Sequence, residues 1–337
     1  MKKTMVVAAL AASVVTTSPA ANAADPITLK FGYPAPMQTA AGQVITAWGK
    51  EVEEASGGTL AVQFFPGASL ATFGNVLDRV LNKVIDIGFG VFGEYTAQFP
   101  KSDTPSLPFE CNKSGDCSAV MWRLYASGVT ADEFGRVKPL ALFTFPTSSL
   151  QSTRLVKTAD DMKGMKVVAT GRTLSDAVTL MGGAPVTLGP GEYFQSLERG
   201  TANGVVVSWS GALTFKLDEV SKYHLGVPFG LFPSFVFMNK DSYAALPAQA
   251  KAAIEKTTGE SLSRRMGGAG DKATEDAIAR FSSLPGHTTV PELPPDEAAR
   301  WKKILAPITD NWIKNTPNGA NVIEAHRAEM NKVRAGM

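Results

Sequence analysis

Between Ile27 and Val91 the hydrophobic period keeps switching between that of a strand and that of a helix, and this limits the possible folds more than any other feature of the chain. Ile27–Tyr33 (ITLKFGY) alternates apolar and polar residues, and Pro34 and Pro36 end it. From Ala40 to Ala55 the apolar residues Val44, Ile45, Trp48 and Val52 recur at helical spacing until Gly57-Gly58. Thr59–Phe65 reads as a second strand closed by Pro66-Gly67, Asn75–Lys83 as a helix, and Ile85–Val91 as a short buried strand. This order predicts an α/β fold with an open sheet of parallel strands. Parallel neighbours need a crossover, and a helix is the usual one.

The second half repeats the style without repeating the sequence. Strands are expected at Leu140–Phe143, Lys166–Ala169, Ala184–Leu188, Gly204–Val207 and Ser234–Asn239, with helices at Leu174–Met181, Gly191–Arg199 and Ala212–Lys222. Pro247 opens a long helical segment to about Phe281. Leu284-Pro285-Gly286 breaks it before a strand-like His287–Val290, and Pro294-Pro295 opens the last helices. A chain of 337 residues can bury two cores. No low-complexity linker divides it, so it is expected to cross between two lobes more than once.

The N-terminus points to export. Lys2 and Lys3 precede an apolar run from Met5 to Val15, followed by Ser18, Pro19 and Ala21-Asn22-Ala23. That layout is a secretory signal peptide with cleavage expected after Ala23. About 20 apolar residues would be needed to span a bilayer, so direct membrane insertion is not expected. Lys+Arg number 33 and Asp+Glu 31, and losing Lys2 and Lys3 would leave 31 of each. A neutral mature chain has no electrostatic footprint for nucleic acid. Cys111 and Cys117 bracket a polar, turn-rich loop and are expected to form a local disulfide in an oxidising compartment. Two free thiols or half a metal site are the other readings. No second cysteine pair exists, and His224, His287 and His326 are scattered along the chain, so no metal is expected.

The sequence makes no catalytic case: it has no GxSxG, Walker or HExxH motif. Gly88-Phe89-Gly90-Val91-Phe92-Gly93 has GxGxxG spacing, but Tyr95–Pro100 supplies no helix opening on the third glycine, so no dinucleotide cofactor is expected. Glu53-Glu54 and Asp160-Asp161 read as solvated helix faces. An exported two-lobed α/β chain without catalytic groups suggests a receptor that buries a ligand between hinged lobes.

Several segments, in order, resemble the solute-binding proteins of tripartite ATP-independent periplasmic (TRAP) transporters, the DctP-like family. Phe64-Phe65-Pro66-Gly67-Ala68-Ser69-Leu70 resembles the end of the family's second strand, and Val84-Ile85-Asp86-Ile87-Gly88 its "G-x-x-D" strand with valine for the glycine. Phe99-Pro100 and Ser106-Leu107-Pro108-Phe109 match a loop over the cleft. Asp161-Met162-Lys163-Gly164-Met165-Lys166-Val167 is similar to the diagnostic "D-[LM]-K-G-x-K-[IV]". Gly182-Gly183-Ala184-Pro185-Val186 matches a turn before a strand, and Tyr193 to Gly204 follows "Y-x-[AS]-L-x-x-G-x-x-D-G".

The resemblance implies a periplasmic binding protein-like two-lobe α/β fold, with mixed open sheets, flanking helices and a long helix spanning both lobes. It places lobe I in 24–148, lobe II in 149–230, a return to lobe I and the inter-lobe helix in 231–280, and a C-terminal segment packing on both lobes in 281–337. It implies a non-enzymatic periplasmic receptor that binds a small organic acid and delivers it to the small and large membrane subunits of a TRAP permease. An exported sensor module with the same fold is the alternative.

In the family an arginine two positions beyond the diagnostic lysine holds the ligand carboxylate; here that position is Val168. An arginine–carboxylate fork is worth about 1.5–3 kcal/mol per bond, which valine cannot supply. Either another cation takes the role, with Arg172 the nearest, or the ligand is neutral at that end. Arg172 as a plain surface residue stays open too. Trp209, at a strand's carboxyl end, offers a flat face and one N–H, or else packs in the core. Ser208 and Ser210 stand where one branch of the family has proline and glutamate. The less charged pocket suggests a ligand with an apolar or aromatic body. Tyr33, Phe73, Phe92, Glu94 and Tyr95 at loop ends, and Phe145 and Phe232 near crossovers, complete the candidate ligand-binding set.

Overall fold

Strand β1 (Ile27–Tyr33) buries Leu29, Phe31 and Tyr33, the residues its alternation aims inward. It belongs to a computed structural model that describes residues 25–146 and 148–337. The leader and its expected cleavage point lie outside the described residues. Helix α1 (Ala40–Ala55) starts where Thr39 Oγ1 accepts the Gly42 N–H at 3.1 Å, and it packs Ile45, Trp48 and Val52 under the sheet. β2 (Leu60–Pro66), α2 (Val76–Leu81) and β3 (Ile87–Val91) follow as the period switching predicts. α3 (Ser114–Ala126) and β4 (Val137–Phe145) complete this first passage.

The chain then enters a second sheet. Its elements are β5 (Ser148–Ser152), β6 (Lys166–Val168), α4 (Arg172–Leu180), β7 (Ala184–Val186), α5 (Tyr193–Glu198), β8 (Gly204–Ser208), α6 (Trp209–Thr214) and β9 (Tyr223–Gly226). β10 (Phe232–Asn239) returns to the first sheet, followed by α7 (Lys240–Ala245), α8 (Ala248–Thr257) and α9 (Glu260–Ser282). β11 (Thr288–Val290), α10 (Pro295–Asn315) and α11 (Gly319–Arg334) end the chain. The sheet orders are β2-β1-β3-β10-β4 and β11-β9-β5-β8-β6-β7. Both are mixed: β10 runs antiparallel to β3 and β4, and β5 runs antiparallel to β8 and β9.

The 23-residue α9 is long enough, at about 1.5 Å per residue, to reach from one sheet to the other. Its Leu262 and Met266 pack into the first core with Trp48 and Phe89, while Ala277 and Phe281 pack into a cluster with Trp209. The helical segment opening at Pro247 is not continuous. Gly259, at φ 86°, separates α8 from α9, donates its N–H to Leu140 O at 2.9 Å, and lies against the Trp122 ring.

Other elements depart from expectation for tertiary reasons. The segment between the cysteines is not all loop, because α3 begins at Ser114, where Asp271 of α9 accepts the N–H groups of Ser114 and Gly115 at 2.7 and 2.8 Å. The expected helix at Ala212–Lys222 is α6 alone; Lys216 takes a left-handed φ of 55°, and the chain turns into β9. Gly88 and Gly90 serve packing rather than phosphate binding. A Cβ at Gly88 would come within about 3 Å of Val76, Val80 and the Phe237 ring, and one at Gly90 within about 3 Å of the Phe235 ring. Cys111 and Cys117 form a disulfide. No helix of the described residues is long and apolar enough to cross a membrane.

Candidate functional site

The strand ends of the first sheet carry an aromatic ledge. Tyr33 at the end of β1 stacks on Phe89 with centroids 4.9 Å apart, and Phe73 and Phe145 pack on the same ring at 5.5 and 5.9 Å. Tyr33 and Phe89 are buried, whereas Phe73 and Phe145 keep part of their surface free. The Tyr33 hydroxyl lies 3.1 Å from Thr39 Oγ1, and burial pushes its phenol pKa up, so it remains a neutral hydroxyl. Phe232 pairs directly opposite Phe145 in the β10–β4 ladder, which puts both side chains on one face, and it is 37% exposed.

Tyr95 holds this ledge from behind. Its hydroxyl donates to the Phe73 carbonyl at 2.5 Å and accepts the Leu77 N–H at 3.3 Å. Its ring is buried, so it positions Phe73 rather than facing the cleft. Glu94, exposed in the turn after β3, sits beside Gly74 at the rim. Phe92 departs from expectation: it is fully buried on the opposite face of the sheet, stacked on Phe235 at 4.5 Å and edge-on to Phe99. The chain turns at Val91, and that sends Phe92 into the core.

The second sheet supplies the opposing face. Val168 and Trp209 are both buried in one cluster, where Trp209 meets Phe281 of α9 at 5.8 Å, so here they are core residues. Ser208 caps α6, accepting the Gly211 N–H at 3.1 Å, and Ser210 stays half-buried one residue into that helix. Tyr193, which carried no site signal beyond its motif, places its hydroxyl 3.0 Å from Thr170 Oγ1 just past β6.

Arg172 opens α4, whose N-terminus has no side-chain cap. Its side chain is 95% exposed and pairs with Asp176 at 3.7 Å. It lines a groove of about 870 Å³ between the segment after β3, with Thr96, Pro100 and Asp103, and the helices α4 and α10, with Trp312 of α10 beside it. Trp312 Nε1 donates to Pro100 O at 3.1 Å and ties the two walls together. The Asp103 carboxyl accepts from Ser106 Oγ at 2.8 Å, and loss of water around it, helped by Glu133, pushes its pKa to about 7. Asp103 carried no signal in the sequence, because only the fold strips water from it.

The three histidines form two clusters rather than lying apart. His224 Nε2 is 2.9 Å from His287 Nδ1, and His326 Nε2 is 3.7 Å from Cys111 Sγ. The ledge residues are not among those lining the groove that holds Arg172; the flat aromatic surface and the exposed guanidinium, paired loosely with Asp176, are each of a kind suited to one end of an anion with an aromatic body.

The family model for bacterial extracellular solute-binding protein, family 7, matches residues 31–315. The C4-dicarboxylate-binding periplasmic protein DctP of Rhodobacter capsulatus is 24% identical over 317 residues, 90% of this chain and 91% of that one. A TRAP periplasmic solute-binding protein from Desulfovibrio salexigens superposes with a TM-score of 0.85 at 24% identity, covering 92% of this chain and 97% of that one. A marine metagenome TRAP solute-binding protein specific for aromatic acid ligands, in complex with metahydroxyphenylacetate, superposes with a TM-score of 0.80 at 25% identity, covering 91% and 99%.

Proposed function

The chain belongs to family 7 of the bacterial extracellular solute-binding proteins, the TRAP-type periplasmic receptors, and on that premise we propose that it binds a small organic acid with an aromatic body and passes it unaltered to a TRAP permease. The observation that carries the ligand reading is the aromatic ledge of Phe73 and Phe145 on Phe89; the buried Val168, where the resemblance implies an arginine, is consistent with a less charged site. An aryl group stacked there gains offset or edge contacts worth about 0.5–1.5 kcal/mol beyond area burial. Arg172 and the free N–H groups of α4 take the carboxylate as the sheets close on it. The aromatic-acid specificity of the metagenome relative supports this reading. The passage of the chain between sheets after β4, after β9 and along α9 supports lobes divided at 148, 230 and 280.

Thermal-shift and calorimetric titration with benzoate, 3-hydroxyphenylacetate, succinate and benzamide tests the ligand. An aromatic acid at 100 times its Kd adds about 2.7 kcal/mol of stability. A preference for succinate returns the chain to dicarboxylates, and equal binding of benzamide makes the ligand neutral; either result overturns the aromatic-acid reading. Uptake of the bound acid in proteoliposomes that carry the two permease subunits, with and without this receptor, tests delivery.

A further inference from the structure

Three potential metal-ligand atoms, two from neighbouring cysteines and one from a histidine 215 positions beyond Cys111, converge away from the cleft. The Sγ atoms of Cys111 and Cys117 and a ring nitrogen of His326 lie within 4.8 Å of one another, and all three residues are buried. Cys111 Sγ is 3.7 Å from His326 Nε2. Around a tetrahedral zinc, bonds of about 2.3 Å to sulfur and 2.0 Å to nitrogen set those atoms roughly 3.5 Å apart. As a disulfide the sulfurs are poor metal ligands; as thiolates they are strong ones.

We propose that Cys111, Cys117 and His326 form a thiol-gated metal site, a disulfide when oxidised and a binding site for one zinc-class divalent cation when reduced. An external dithiol supplies two electrons and two protons to the Cys111–Cys117 bond and leaves as its own disulfide. Both thiols then release their protons to solvent as the two metal–sulfur bonds form. His326 coordinates through Nε2, and the ring proton moves to Nδ1, so the imidazole stays neutral.

Two further features are compatible with that state. His326 Nδ1 is buried without a hydrogen-bond partner, and so is Thr130 Oγ1. Both residues line one small cavity of about 10 Å³. Metal-binding histidines fix their second nitrogen by donating its proton to an acceptor; Thr130 Oγ1 makes no hydrogen bond to Nδ1 here but shares its cavity. Two thiolates and a dication also sum to zero charge, which suits the surrounding Val120, Leu124, Leu231 and Val333.

The full-length mature protein is reduced with a phosphine, desalted without air and titrated with Co²⁺, then with Zn²⁺. One equivalent of Co²⁺ is expected to give thiolate charge-transfer absorbance that Zn²⁺ abolishes, while the oxidised protein gives none. His326→Gln is expected to weaken binding at least tenfold. The Co²⁺ form should also show a hyperfine-shifted exchangeable imidazole proton, a readout that does not depend on any variant folding. Absence of that proton, Co²⁺ binding equal in the oxidised form, full affinity in His326→Gln, or loss of the native near-UV spectrum on reduction overturns the proposal. The solute cleft takes no part in these readouts, so they stand apart from the ligand assignment.

Discussion

His224 Nε2 lies 2.9 Å from His287 Nδ1, and the rest of the network decides which nitrogen holds the proton. Gln151 donates its amide N–H to Ser149 Oγ at 2.7 Å, which turns its carbonyl toward His224 Nδ1 at 2.6 Å. His224 therefore carries its proton on Nδ1, and its Nε2 accepts from His287. With the Phe281 ring tilted against it at 4.3 Å, burial, followed by repulsion from His287, lowers the His224 pKa to about 4.

This makes stability depend on pH, with Asp103 acting in the opposite sense. For His224 the unfolded value is 6.5, so between 6.5 and about 4 the unfolded chain binds more protons and stability falls on acidification. For Asp103 the unfolded value is 3.8, so between about 7 and 3.8 the folded chain binds more protons and stability rises on acidification. Relative to the parent, His224→Gln is expected to gain stability as pH falls from 6.5 to 4.5, and Asp103→Asn to lose it. Urea melts at steps across that range measure both differences; slopes of the same sign would refute the assignment.

Tyr95→Phe removes the hydroxyl that holds the Phe73 carbonyl and keeps the ring. A stability loss of about 1 kcal/mol is expected from the hydrogen bond. Ligand affinity should drop several-fold as Phe73 loosens. Phe73→Ala should cost more affinity and less stability, because its ring is only partly buried. Calorimetry on both variants separates the two effects, and unchanged affinity in both would remove the ledge from the site.

Arg172→Gln should leave the melting temperature nearly unchanged, since an exposed pair such as Arg172–Asp176 contributes little. Carboxylate affinity should fall about 10- to 100-fold, the equivalent of one charge-assisted contact. Binding of the corresponding amide should not change. An equal loss for acid and amide would show that Arg172 shapes the groove without pairing to charge.

Gly267 lets α9 pass close to α3: a Cβ there would fall 2.4 Å from both Ser114 O and Ser118 Oγ. Gly267→Ala should therefore destabilise by about 1–3 kcal/mol, although alanine favours a helix interior by roughly 1 kcal/mol. Gly268→Ala, with nothing near the added carbon, should be neutral or stabilising. Denaturant melts of the pair give the contrast directly, and equal effects would contradict the packing.

Local periodicity was enough to read the alternating strands and helices of the first passage, the strands at Lys166 and Gly204 and the helix-rich C-terminal part, because burial of one face imposes period 2 or 3.6 on the residues themselves. The motif from Asp161 to Val167 put Val168, at the end of the strand, where the resemblance implies an arginine. What a segment packs against leaves no such trace. The start of α3 depends on Asp271, 157 residues away, and the break before α9 on the Trp122 ring. Phe89 and Phe92 are near neighbours of one residue type, yet one backs the ledge and the other fills the far core, because the strand ends between them. The histidines looked unrelated along the chain, and His326 meets Cys111 across 215 positions. A linear pattern records which side chains avoid water, whereas contact, depth and proton affinity arise only when separate segments are pressed together and water is excluded between them.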